Sequence, residues 1–194
     1  IYMSLVLKPE IEPNHASMLT LITAMAVAGG IEKTTGLECK IKWPNDIVIH
    51  GKKVCGILTE MSTQMDYINY IVIGIGINVQ NESFPEEIGE VATSLRIESG
   101  KKQNRAAIIE AVWEEFEKYY DIYLKTEDMQ GLVGEYDQKL ANMNKQVRVL
   151  DPKDPYEGTA RGITPKGELI VDTWEARKLV SSGEVSVRGL YGYV

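Results

Sequence analysis

The residues best suited to chemistry lie in KWPNDIVIHGKKVCGILTE, residues Lys42 to Glu60, where an amide, a carboxylate and three lysines surround a run of strand formers. Pro44 excludes the α region for Trp43 and removes a ladder donor, so a strand must break there. Asn45 and Asp46 follow the break, at a strand mouth where polar groups can point into a cleft. Across the hairpin come Lys52 and Lys53, then Gly56, whose missing side chain lets a ligand approach the backbone. A lysine and an aspartate brought together there could hold an anionic reactant and handle a proton. The same spacing also suits a surface hairpin with a turn-forming Asn-Asp pair and solvated lysines, and spacing alone leaves both readings open.

The second chemical element is IVIGIGINV, residues Ile71 to Val79. Glycine weakens a strand interior, so Gly74 and Gly76, alternating on one face, suggest that something flat lies against that face. A helix packed closely into the gap would explain them equally well. Asn78 extends the alternation, and its amide can donate and accept at the end of such a groove. The GxGxxG order of a dinucleotide site is absent.

These residues need strands to hold them, and the flanking pattern supplies them. Alternation predicts an opening strand in IYMSLVLKP and further strands over Glu38–Trp43, Asp46–Ile49, Lys53–Met61 and Tyr67–Ile77, with His50-Gly51 as a hairpin turn. Asn14 reads as the N-cap of a helix carrying Met18, Leu21, Ile22, Met25 and Ala26 at helical spacing, closed by Gly36. A second amphipathic helix runs from Asn104 to about Lys125, with Ile108, Val112, Phe116, Tyr119, Tyr120 and Tyr123 on its core face, and a short one follows over Met129–Leu140. From Lys145 the texture becomes short alternating strands punctuated by Gly, Pro and Asp, the pattern of a small β-barrel of roughly fifty residues. The boundary falls at Asn142 to Asn144, and the chain is of the α+β class.

With 194 residues, 44% hydrophobic and 25% charged, the chain is an ordinary globular composition with a substantial core. Its net charge of −7 repels phosphate backbones, which argues against nucleic-acid binding. Cys39 and Cys55 lack metal-type spacing and cannot make a disulfide scaffold, so a reducing cytoplasm is expected and no metal is assigned. The apolar run LTLITAMAVAGGI is broken by threonine and glycine and falls short of the roughly 20 apolar residues of a membrane span, so no membrane association is expected. The first residues read as a strand already under way without an initiator methionine, which suggests a cut boundary.

KWPND, KVCGILTE, GIGINV and GEVSVRGLYGY, in this order, resemble the bacterial biotin protein ligases. The resemblance implies a class II synthetase-like catalytic fold, a mixed or antiparallel sheet packed with helices, over residues 1–143, and an SH3-like β-barrel over residues 144–194. It also implies ATP-dependent attachment of biotin to a lysine of a biotin carboxyl carrier protein through biotinyl-5′-AMP, with Mg2+ on the ATP phosphates. A homodimer is a further expectation of the family. A lipoate-protein ligase or a non-catalytic binding fragment are the alternative readings.

By the same resemblance, Lys53 holds the biotin carboxylate and the acyl-phosphate region, and Asp46 orients or deprotonates the incoming lysine. Lys42 and Asn45 support phosphate and adenylate. Gly56, Gly74 and Gly76 let biotin and nucleotide lie flat, Asn78 reaches the adenine side, and Arg188 approaches ATP from the terminal barrel. The family's Gly- and Arg-rich GRGRxGR-type loop is not in this sequence. Because that loop shields a reactive mixed anhydride from water, the expectation is an incomplete site that adenylates poorly or leaks its intermediate.

Overall fold

The computed structural model describes residues 1–64, 67–182, 186–190 and 193–194. Of the terminal stretch EVSVRGLYGYV, Glu184, Val185, Tyr191 and Gly192 lie outside the described residues. Two five-stranded antiparallel sheets and a set of helices make up the fold.

The first sheet contains β1 (Tyr2–Leu7), β2 (Lys40–Lys42), β3 (Asp46–Ile49), β4 (Lys52–Gln64) and β5 (Tyr67–Ile77), in the order β1-β5-β4-β3-β2. His50 at φ 49° and Gly51 at φ 79° form the β3–β4 turn, the two left-handed residues that match a two-residue loop to strand twist. Ile71, Ile73, Ile75 and Ile77 point from β5 into the core. Gly74 and Gly76 point to the other face, where neither finds a helix: a Cβ there would meet nothing nearer than 3.7 Å and 3.9 Å respectively. The alternative of a helix filling the glycine gap is thereby removed.

Helix α1 (Met18–Thr35) lies between this sheet and the later helix α4 (Arg105–Thr126), and is buried on nearly every side. Together with the preceding turn it is long and apolar enough to cross a membrane, contrary to the expectation from its threonines and glycines; its burial makes it a core helix. Gly30 lets α4 come close, since a Cβ there would stand 2.7 Å from Val112. The helix starts later than expected, because Pro13–His15 forms a separate 3-10 turn that contains Asn14. It ends as expected at Gly36, φ 73°, whose N–H donates to Glu32 O. Asn104 caps α4 through its side-chain oxygen, which accepts from the backbone of Ala106 and Ala107. Two short helices, α2 (Glu86–Gly89) and α3 (Leu95–Ser99), precede it, and α5 (Val133–Lys139) follows.

The second sheet is the β-rich terminal unit anticipated from the sequence. It comprises β6 (Gln146–Leu150), β7 (Tyr156–Ile163), β8 (Leu169–Asp172), β9 (Arg177–Val180) and β10 (Ser186–Gly189), in the order β10-β6-β7-β8-β9. The tip of its β7–β8 hairpin rests on the first unit. Gly167, at φ 77°, packs so closely on α1 that a Cβ would stand 3.1 Å from Leu21 and 3.2 Å from Met18, and its carbonyl accepts from Trp43 Nε1 at 3.1 Å. Trp43 itself is 1% exposed.

Candidate active site

The strand register brings the sequence-selected residues together. Tyr2 of β1 stands opposite Gly76 of β5, Gly76 opposite Gly56 of β4, Gly56 opposite Asp46 of β3, and Asp46 opposite Lys42 of β2. One row across all five strands thus carries a bare glycine pair at its centre and charge at one end. A cleft of about 580 Å³ opens over this row, lined by Tyr2, Asn45, Lys53, Gly56, Gly74 and Gly76 among others.

Lys53 joins the row only because of a bulge. Residues three apart on a regular strand face opposite sides, yet Lys53 and Gly56 share the open face. The β3–β4 register shifts between Ile47 and Val48, so that Ile47 pairs with Cys55 and Val48 with Lys53, leaving Val54 as the extra residue. Val54 and Cys55 are both buried in consequence. The Lys53 backbone is gripped from outside the ladder, its N–H donating to Val91 O at 2.7 Å and its carbonyl accepting from Thr93 N at 2.8 Å. The side chain then folds back over Gly56 and places Nζ 2.5 Å from Asp46 Oδ1.

Asp46 is 7% exposed and is surrounded by donors. Its Oδ1 meets Lys53; Lys42 Nζ lies 4.0 Å from its Oδ2. The hydroxyl of Tyr193 donates to Oδ2, and the Tyr193 ring lies 4.4 Å from Lys42 Nζ in a cation–π contact. Burial drives the Lys42 ammonium below its ordinary pKa; Asp46 opposes this, while the positive charges of Lys53 and Arg188 reinforce it. Tyr193 moves the other way, raised first by burial and then by its bond to Asp46, so its phenol remains a donor. Burial likewise holds the Cys55 thiol well above its usual range, which suits packing and not nucleophilic attack.

The remaining selected residues divide. Asn45 lines the cleft, with Nδ2 committed to Ile57 O at 2.8 Å, which pins the Trp43–Asn45 turn to β4. Asn78 lies past the end of β5 and is not among the residues lining the cleft. Its Nδ2 donates to Thr93 O at 3.1 Å and its carbonyl accepts from Leu95 N, so it tethers the segment that grips Lys53. Arg188 is exposed on β10, near enough for its charge to act on Lys42 and Tyr193. Sequence reasoning missed Tyr193 altogether. A tyrosine four residues from the chain's last strand has no periodicity to mark it, and only the fold brings it to Asp46.

The architecture and cleft define a class, a two-unit α+β protein whose first sheet presents a lysine–carboxylate pair over glycines. Residues 1–78 match the Biotin/lipoate A/B protein ligase family, and residues 143–188 match the Biotin protein ligase C terminal domain. The chain thus carries two biotin protein ligase family domains in sequence. It is 39% identical over 189 residues to the bifunctional ligase/repressor BirA of Bacillus spizizenii, covering 96% of this chain and 58% of that protein. It is 30% identical over 171 residues to the biotin--[acetyl-CoA-carboxylase] ligase of Mycobacterium tuberculosis, covering 86% of this chain and 61% of that one. The chain therefore spans less than two thirds of the length of these curated relatives. Biotin protein ligase from Aquifex aeolicus, in complex with biotin and ATP, superposes with a TM-score of 0.87 at 29% identity, over 97% of this chain and 78% of that one.

Proposed function

We propose that this chain carries the chemistry of ATP-dependent biotinylation of a lysine on a biotin carboxyl carrier protein. The observation that carries the reading is the Lys53 side chain, paired with the buried Asp46 carboxylate and held over Gly56 in a cleft with a glycine floor. In the first half-reaction a biotin carboxylate oxygen attacks the α-phosphate of ATP and pyrophosphate leaves. Two anions must meet, and Lys53, Lys42 and Arg188 supply the positive charge that this approach requires. In the second, the amine of the carrier lysine attacks the acyl carbon, AMP leaves through its phosphate oxygen, and Asp46 takes the proton.

Biotin and the nucleotide lie along Gly56, Gly74 and Gly76, with Lys53 on the biotin carboxylate, Asn45 and Lys42 toward the phosphates, and Asn78 supporting the adenine side. Mg2+ enters with ATP: the side chains around the cleft are cationic, and no cluster of three metal-ligating groups occurs among the described residues. Residues 1–143 form the catalytic unit in this reading and residues 144–194 an SH3-like unit that contributes Arg188. A cytoplasmic site of action accords with Cys39 and Cys55 as buried free thiols, and a homodimer through a sheet edge belongs to the same reading.

Pyrophosphate release measured with biotin or lipoate as the acid, with and without Lys53→Ala, tests the proposal. Biotin-dependent release abolished by the substitution supports it. Release with lipoate alone assigns the chain to the other branch named in the first family match, and no acid-dependent release from either defeats the ligase reading in favour of a binding role.

A further inference from the structure

The two oxygens of Asp46 have separate partners. Oδ1 is buried and meets Lys53, the residue that itself lines the cleft; Oδ2 accepts from the Tyr193 hydroxyl. Asp46 is nearly sealed from solvent, so its orientation is fixed by these neighbours. Lys53 cannot fix it alone, because that lysine must also answer to the substrate carboxylate. Lys42 stands at 4.0 Å, too far for a hydrogen bond, and is itself covered by the Tyr193 ring. Tyr193 is the neutral donor in the cluster, able to hold one oxygen without competing for the reacting anions.

We propose that Tyr193 is a positioning residue for acyl transfer: its hydroxyl anchors Asp46 Oδ2 so that Oδ1 stays directed at the approaching carrier lysine, while its ring holds Lys42 beside the site. This rests on the ligase reading above. The tyrosine neither gains nor loses a proton during the step; the proton from the lysine nitrogen passes to Asp46 and then to solvent. The role divides by atom, the hydroxyl serving the second half-reaction and the ring the first through Lys42.

Single-turnover kinetics on Tyr193→Phe and Tyr193→Ala test the assignment. The Phe variant keeps the ring, so transfer of biotin from preformed biotinyl-AMP to the carrier domain should slow about five-fold more than adenylation does. The effect should fall on the maximal rate and not on the carrier concentration needed for half-saturation. The Ala variant should slow adenylation as well. Equal loss in both half-reactions by both variants, or transfer by Tyr193→Phe at the parent rate, overturns the role. A readout independent of turnover is the titration of the Tyr193 ring carbon by NMR, assigned by its disappearance in Tyr193→Phe. The phenol should ionise above the usual tyrosine range and do so at lower pH in Asp46→Asn; titration in the usual range, unmoved by that substitution, removes the contact on which the assignment stands. Failure of the parent protein to release pyrophosphate with biotin defeats the ligase reading and the role with it, while the NMR result still reports the contact.

Discussion

Lys53 lies directly over Gly56: its Cε and Nζ are each 3.0 Å from the place where a Cβ on Gly56 would stand. A methyl group there must push the lysine aside, and a flexible lysine end yields at little cost to folding. Gly56→Ala is therefore expected to leave the unfolding midpoint within about 2 °C of the parent while reducing biotin-dependent pyrophosphate release about ten-fold. Thermal unfolding and the release assay, run on the same preparation, check both halves. Retained activity would mean that Lys53 is not needed where it stands.

Gly76 has open space above it, with Tyr2 and the Gly56 carbonyl both 3.9 Å from a would-be Cβ. Gly76→Val fits the strand, and β-branched residues favour strands by up to about 1 kcal/mol, so stability should hold or rise. The added side chain fills the floor of the cleft. Biotin affinity measured by calorimetry should fall about ten-fold or more, because a rigid bicyclic ligand cannot retreat from a filled floor.

Gly167 combines a positive φ with close contact to α1, so a side chain there is strained twice. Gly167→Ala should destabilise by about 1–3 kcal/mol. Trp43→Phe should lose the bond to the Gly167 carbonyl and part of the buried ring area, again about 1–3 kcal/mol. Urea unfolding of the two single variants and the double variant should give less than the sum, since both act on one contact.

Asp137 on α5 accepts from Ile163 N at 3.0 Å, yet burial outweighs this bond and raises its carboxyl above the ordinary pKa. A folded-state pKa above the unfolded value means that the native state holds the proton better, so this site's contribution to stability is lost as pH rises from the ordinary carboxylate value through the raised one. Asp137→Asn keeps an acceptor oxygen without the charge. Its melting temperature should exceed the parent's at about pH 7 and converge with it near about pH 3. A gap that does not change with pH contradicts the assignment.

Strand placement was legible because alternation and turn chemistry agree: Tyr67–Ile77 and Asp46–Ile49 appear in the fold with the boundaries read from sequence, and His50-Gly51 turns as expected. The bulge at Val54 was not legible. KKVCG reads as a plain alternation that would send Lys53 and Gly56 to opposite faces, and only the external grip of Val91 and Thr93 on the Lys53 backbone reverses it. Asn14 failed as a helix cap because it lies inside the separate Pro13–His15 turn. Asn78 obeyed the alternation in sequence but passed beyond the strand end, where its amide serves a neighbouring segment. Tyr193 depends on a contact 147 residues away in sequence, for which no local pattern exists.

The hairpin tip at Gly167 has a consequence for how the molecule comes apart. It seats the second sheet on the central helix and clasps the indole one position from Lys42, while Tyr193 reaches Asp46. Loosening the small unit must therefore uncover the central helix and strip the reacting cluster of its companions in a single event. Heating should extinguish catalytic competence and the circular dichroism of both sheets in one coincident transition, with no inactive but folded plateau between.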